Sequence, residues 1–235
     1  MNRKLCLFET EQEAIAFCTS HFLQEAKKAL LERGTFAVAL SGGSTPKKFF
    51  QALSDAKETL DWSNIVLFWS DERAVAPDHP DSNFGMAMHY LGKKPFNEAK
   101  MFRMEAERTD ADAAAREYER LIHERCPEGR FDIVYLGVGE DGHTASLFPH
   151  TSALTVRDRK VVANYVEAKK SWRMTLTFPC INEARNIVVL ALGPSKAPII
   201  KEIFNPVGKE LLPAALVGTQ ETPALFICDR AAANE

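Results

Sequence analysis

Phe131-Asp132-Ile133-Val134-Tyr135-Leu136 runs directly into Gly137-Val138-Gly139-Glu140-Asp141-Gly142-His143-Thr144-Ala145-Ser146-Leu147-Phe148-Pro149. The first six residues form an apolar run that reads as a buried strand. A glycine-rich turn then delivers Asp141 and His143, two residues apart, at the strand's carboxyl end. In open parallel α/β sheets that edge is where ligands sit. Glycines at 137, 139 and 142 let backbone N–H groups come close to a ligand. An imidazole can move a proton near neutral pH. A packed core requires no such combination, so the stretch reads as a site at the end of a central strand.

Working outward from it, strand and helix patterns alternate, which argues for an α/β protein with a largely parallel sheet. Phe36–Leu40, Ile65–Trp69, Ile187–Leu192 and Leu225–Cys228 are further apolar strands, the last expected to close the sheet. Val161–Val166 and Arg173–Phe178 also read as strands. Thr10-Glu11-Gln12-Glu13 is a capping-box pattern that opens a helix with apolar residues at Ile15, Cys18, Phe22, Ala26 and Leu30; Gly34 is its stop. Helices are expected near Asn83–Leu91, over Ala111–Arg125 and after Lys196. The strands ending at Leu40, Trp69, Leu136 and Leu192 all run into polar or glycine-rich turns. If these strands are parallel, the four turns share one edge and their side chains converge on one cleft.

Composition narrows the class. A chain of 235 residues, 46% hydrophobic and 26% charged, suits one large domain spanning 1–235. The net charge of -3 and scattered basic residues give no support to nucleic-acid binding. No segment is long or apolar enough to span a bilayer, and the first residues turn acidic before any signal-length apolar run. The five cysteines, Cys6, Cys18, Cys126, Cys180 and Cys228, lack Cys-x-x-Cys spacing. Reduced core thiols in a cytoplasmic protein are the expectation. Zinc-ligand spacings and His-Glu-x-x-His are absent, so the sequence gives little support to a metal site.

The individual motifs each admit a plain and a functional reading. Ser41-Gly42-Gly43-Ser44-Thr45-Pro46 is a strand–turn–helix junction whose amides, hydroxyls and helix N-terminus suit an anion; alternatively it is a helix start capped by Thr45. It is not a Walker loop. Gly137-x-Gly139-x-x-Gly142 matches the dinucleotide fingerprint, but His143 and Pro149 leave no clean helix to receive a pyrophosphate. Ser41, Ser44 and Ser146 are conceivable nucleophiles, disfavoured because Gly-x-Ser-x-Gly is missing. Asp71-Glu72-Arg73 after Phe68-Trp69 is either a surface charge cluster or part of the cleft. In the cleft, Arg73 would meet an anion or oxyanion, and Asp71 a sugar hydroxyl or a base. Arg173 and Lys196 read singly as solvated cations and together as a phosphate grip.

Taken in order, Ser41–Pro46, Ser70-Asp71-Glu72-Arg73, Asp81-Ser82-Asn83, the Gly137–Pro149 block and Arg173-Met174-Thr175-Leu176-Thr177 resemble the glucosamine-6-phosphate isomerase/6-phosphogluconolactonase superfamily. The likeness extends from about Leu7 to Cys228. The Ser146-Leu147-Phe148-Pro149 ending is that of the lactonase branch; the deaminase branch typically continues to Phe-Asn-Glu-Pro, and no carboxylate lies between His143 and Pro149 here. The resemblance implies a three-layer α/β/α sandwich with a Rossmann-like, mostly parallel sheet. It implies hydrolysis of 6-phospho-D-glucono-1,5-lactone, a step of the oxidative pentose phosphate pathway, without cofactor or metal.

On that reading His143 is the acid–base group, Asp141 orients it or binds the sugar, and Arg73 holds an oxyanion with glycine-turn amides. Gly42, Gly43, Ser44, Thr45, Asp71, Arg173 and Lys196 are the expected substrate-binding residues. The expected partner is a small phosphosugar lactone, acted on by a monomer or small homo-oligomer. The rivals are a deaminase/isomerase on the same scaffold and a non-catalytic sugar-phosphate sensor. The sensor is expected to carry a DNA-binding segment, for which this chain leaves no room, and has no need of His143.

Overall fold

Side chains alternate between two hydrophobic layers along every central strand, and this alternation builds the molecule. Phe36, Val38 and Leu40 enter one layer with Ile65, Leu67, Trp69, Ile133 and Tyr135. Ala37 and Ala39 enter the other with Val66, Phe68, Val134 and Leu136. A sheet apolar on both faces must be covered on both, as parallel sheets are.

The computed structural model describes residues 2–56, 60–91, 98–206, 208 and 211–233. Its main sheet has seven strands, with labels given in chain order: β1 (Arg3–Phe8), β2 (Phe36–Leu40), β3 (Ile65–Trp69), β5 (Lys100–Met101), β6 (Ile133–Gly137), β9 (Ile187–Ala191) and β10 (Ala224–Asp229). Their spatial order is β1-β10-β9-β6-β2-β3-β5, and the neighbours pair in parallel. Three further strands, β4 (Asp71–Arg73), β7 (Val161–Val166) and β8 (Ser171–Leu176), form a separate antiparallel sheet in the order β4-β8-β7.

Helices α1 (Glu11–Arg33), α2 (Ser44–Asp55) and α3 (Asn83–Leu91) bury their apolar faces in one layer. Helices α4 (Ala111–Arg125), α5 (Phe178–Asn182), α6 (Ala197–Phe204) and α7 (Arg230–Ala233) bury theirs in the other, together with Val161, Met174 and Leu176 of the small sheet. This is the expected three-layer arrangement. Helix α1 begins as its sequence dictates. The Thr10 hydroxyl accepts from the Glu13 amide at 3.2 Å, and the Glu13 carboxylate reaches back to the Glu9 amide at 3.0 Å. It ends at Gly34 with φ +70°.

Several expectations need correction. Leu225–Cys228 does not close the sheet: β10 is flanked by β1, whose residues from Arg3 pair with Ala224 onward. The strands expected at 161–166 and 173–178 are present as β7 and β8 and form the small antiparallel sheet with β4. Phe178 is not strand but the first residue of α5, because Thr177 caps that turn through the Cys180 amide. Among the described residues, no helix is long and apolar enough to cross a membrane.

The chain steps from β2 outward to β3 and β5 on one side, and from β6 outward to β9 and β10 on the other. The strand order therefore reverses between β2 and β6, and the crevice at their carboxyl ends is the place such sheets offer a ligand. Ser41–Pro46 leaves β2 there, and Val138–Pro149 leaves β6.

Candidate active site

A cavity of about 230 Å³ opens at this crevice, lined by Ser41 to Pro46, Asp71, Arg73, Asn83, Gly137 to Gly139, His143, Ala145, Leu190 and Lys196. Its size suits one small polar molecule and is below that of most drug-sized sites.

His143 stands on the loop after β6. Its ring Nδ1 meets Asp141 Oδ1 at 2.5 Å, and the same oxygen accepts the His143 backbone N–H at 3.2 Å. With Nδ1 donating to the carboxylate, Nε2 is left with its lone pair, the form a general base requires. Partial burial pushes the Asp141 carboxyl up, but hydrogen bonds and charge from His143 outweigh it and hold the carboxyl below its ordinary range. The couple exists because residue 139 is glycine. A Cβ there would collide with His143 Nδ1 and Cε1 and with Asp141 Oδ1.

The opposite wall is the start of α2. Gly43, at φ +114°, is its cap, and among the described residues no side chain caps the first amides. The first turn holds no acidic residue. A helix start with unmatched N–H groups and partial positive charge is suited to an anion. The alternative of Thr45 as cap is therefore corrected: Thr45 lies inside the first turn. Gly42 packs so closely on the Asn83 side chain that a Cβ would overlap its Oδ1. Lys196 lies in the turn between β9 and α6 and donates to the Val138 carbonyl at 2.9 Å, which holds its charge at the cavity wall.

Arg73 links this cavity to a second hollow of about 480 Å³ that also includes Ala74, Val75, Asp81, His143, Phe148, Lys169, Ser171 and Arg173. Arg73 donates to the Asp81 carbonyl at 2.6 Å, while its buried Nε has no hydrogen-bond partner among the described residues. Arg173 faces Arg73 in register across β4 and β8. Burial, and then the Arg73 charge, lower the Arg173 pKa. Like charges opposed across two strands cost stability unless something negative joins them.

Most of the expected residues are thus gathered in one place. Gly42, Gly43, Ser44, Thr45, Asp71, Arg73, His143 and Lys196 line the first cavity, and Asp141 stands behind His143. Arg173 does not line it; it stands in the adjoining hollow. Asp71 is 5% exposed and already engaged: Oδ2 accepts from Ser146 Oγ at 2.7 Å and Oδ1 from Asn83 Nδ2 at 3.3 Å. Ser146, fully buried and donating to Asp71, is not placed as a nucleophile.

Glu72 belongs to neither the surface nor the cavity. Its two oxygens accept the backbone amides of Arg73, Asn83 and Phe84 and the Ser82 hydroxyl, closing the start of α3. Asn83, Lys169, Ser171 and Phe148 were not among the expected site residues. Asn83 was visible in Asp81-Ser82-Asn83, but its place in the cavity wall was not; Lys169 and Ser171 gave no local signal, since only β4–β8 pairing brings them in. Phe148 was visible in Ser-Leu-Phe-Pro, but its stacking on His143 was not. Among the described residues no group of three or more His, Cys, Asp or Glu side chains is placed to hold a metal.

Residues 9–226 match the model of the family described as glucosamine-6-phosphate isomerases/6-phosphogluconolactonase. A 6-phosphogluconolactonase of Chlamydia pneumoniae is 40% identical over 227 residues, covering 95% of this chain and 87% of that protein. One from Synechocystis is 44% identical over 185 residues, covering 76% and 75%. The solved structure of the 6-phosphogluconolactonase of Trypanosoma brucei superposes with a TM-score of 0.84 at 26% identity, covering 99% and 98% of the two chains. The chain belongs to the glucosamine-6-phosphate isomerase/6-phosphogluconolactonase family.

Proposed function

We propose that this chain is a 6-phosphogluconolactonase that hydrolyses 6-phospho-D-glucono-1,5-lactone to 6-phosphogluconate in the pentose phosphate pathway. The observation that carries the reading is that an Asp-oriented imidazole and a helix start without a side-chain cap, joined by a lysine, face the same small cavity. The first suits a carbonyl, the second a phosphate. The names of relatives at 38% to 44% identity support the same assignment.

The 6-phosphate docks on the amides of Ser44 and Thr45, their hydroxyls, and Lys196, with Arg173 adding charge from the adjoining hollow. Gly42 and Gly43 keep the backbone close to it. This anchor fixes C1 of the lactone relative to His143, turning remote binding into orientation. Nε2 of His143 takes a proton from water as its oxygen bonds to C1. The carbonyl oxygen becomes an oxyanion, held by Arg73 and glycine-turn amides. The tetrahedral centre then collapses, the C1–ring oxygen bond breaks, and that oxygen takes the proton back from Nε2. Asp141 accepts the Nδ1 proton's hydrogen bond throughout and steadies the imidazolium. Asp71 serves by tying the His143 loop to β4 through Ser146. The unpaired cysteines, all buried except the half-buried Cys6, suit a cytoplasmic protein, working as a monomer or small homo-oligomer on a small phosphosugar.

A proton-release assay with freshly generated 6-phosphogluconolactone, corrected for spontaneous opening, tests this reading. Rapid turnover is expected, with much poorer use of unphosphorylated gluconolactone. Equal rates on both, or ammonia release from glucosamine 6-phosphate in place of lactone hydrolysis, would overturn it. Replacing Lys196 by Ala removes a charge-assisted contact of ~1.5–3 kcal/mol, so KM should rise about 10–100-fold.

A further inference from the structure

A hydrogen bond to one ring nitrogen does not by itself aim an imidazole. Asp141 holds Nδ1 of His143, but the ring can still tilt about that contact, and tilt redirects the Nε2 lone pair. A second restraint is present. The Phe148 ring lies against the His143 ring, centroids 3.9 Å apart and planes 15° from parallel. Phe148 also underlies the Arg173 guanidinium, whose carbon is 5.9 Å from the ring centroid.

Phe148 is itself firmly held. It is 4% exposed. Its carbonyl accepts from the Thr151 hydroxyl at 2.8 Å and the Thr151 amide at 3.3 Å. The preceding turn is pinned at three points. Thr144 Oγ1 donates to the Gly137 carbonyl at 2.8 Å. The Ser146 amide donates to Thr175 Oγ1 at 3.1 Å, and Asn164 Nδ2 donates to the Ser146 carbonyl at 2.8 Å. Ala145, a non-glycine residue at φ +48°, is kept in a left-handed conformation by these ties. The local backbone is thus held in a costly shape that presents one aromatic face to the imidazole.

We propose that Phe148 is a positioning residue for the reaction: its face sets the plane of the His143 ring while Asp141 sets its rotation, and the two together aim Nε2 at C1. This rests on the lactonase reading above. The stack is nearly face to face, whereas aromatic pairs left to themselves favour offset or edge contacts. The ring also covers one face of the imidazole, so substrate and water approach from the cavity side.

The test replaces Phe148 by Leu, which keeps apolar volume but has no flat face, and by Tyr, which keeps the face. Phe148→Leu should lower kcat about 10–100-fold, the scale of an ångström-sized misplacement, with KM within about twofold. Phe148→Tyr should keep kcat within about threefold. Unchanged kcat in Phe148→Leu, or equal losses in both variants, overturns the proposal while leaving wild-type lactonase activity, and so the functional reading, intact. Should Phe148→Leu not fold, the wild-type proton spectrum decides. The His143 ring protons, assigned by their loss in His143→Ala, should be shifted upfield of the other histidines by the Phe148 ring current. Resonances in the ordinary histidine range would overturn the proposal without reference to activity.

Discussion

A methyl group at residue 139 would occupy the space in which Asp141 meets His143. Gly139→Ala should therefore displace the Asp141–His143 couple without replacing either partner. We expect kcat to fall about 100-fold while affinity for 6-phosphogluconate, measured by calorimetry, stays within about threefold. Unaltered kcat would mean that the Asp–His contact does not matter to the reaction. The pair also has a definite pH range. Because its net effect is to lower the Asp141 carboxyl below 3.8, the contact favours the fold above that value and is lost as pH falls through the lower, folded one. Across the neutral range the carboxylate is charged and the orientation of His143 persists.

At the scale of elements, Glu72 joins β4 to α3, and its environment gives the opposite sign. Burial pushes its carboxyl up, and the amides of Phe84, Asn83 and Arg73 only partly offset this. The protonated form is favoured by the fold. That preference is complete below the ordinary 4.5 and is lost as pH rises through the folded value. The stability of the wild type relative to Glu72→Gln, read from urea unfolding, should therefore decline as pH rises from 4.5. A difference independent of pH would show that the carboxyl titrates as it does in the unfolded chain. Elements also mark where sequence patterns stop being informative. The central strands β2, β3, β6 and β9 were legible because every residue in them is apolar. β1 was missed because its apolar run, Leu5 to Phe8, is short and follows two basic residues; on the sheet edge Leu5 and Leu7 remain 42% and 38% exposed. β4 was hidden because three charged residues carry no strand signature and gain one only by pairing with β8.

For the molecule as a whole, burial in two layers governs the thiols. Cys18, Cys180 and Cys228 are pushed up to about 12, chiefly by burial, and Cys126 is raised further; burial also raises Cys6, which is only half-buried. A thiol-reactive disulfide reagent should label at most one cysteine in the native protein and all five after denaturation. Rapid labelling of two or more would contradict the packing described. The convergence of the site was legible for the same reason as the core. Parallel strands put their carboxyl ends on one edge, so Ser44, Arg73, His143 and Lys196 had to meet once the strands were recognised. The position of Arg173 was not legible, because the small antiparallel sheet that carries it depends on pairing between β4 and β8, segments about 100 residues apart. The central claim is that one imidazole performs the chemistry while a separate anchor holds the phosphate. It is tested most directly by measuring kcat for the lactone and affinity for 6-phosphogluconate in His143→Ala. The account predicts that kcat falls at least ~100-fold with affinity nearly unchanged; an undiminished kcat would contradict it.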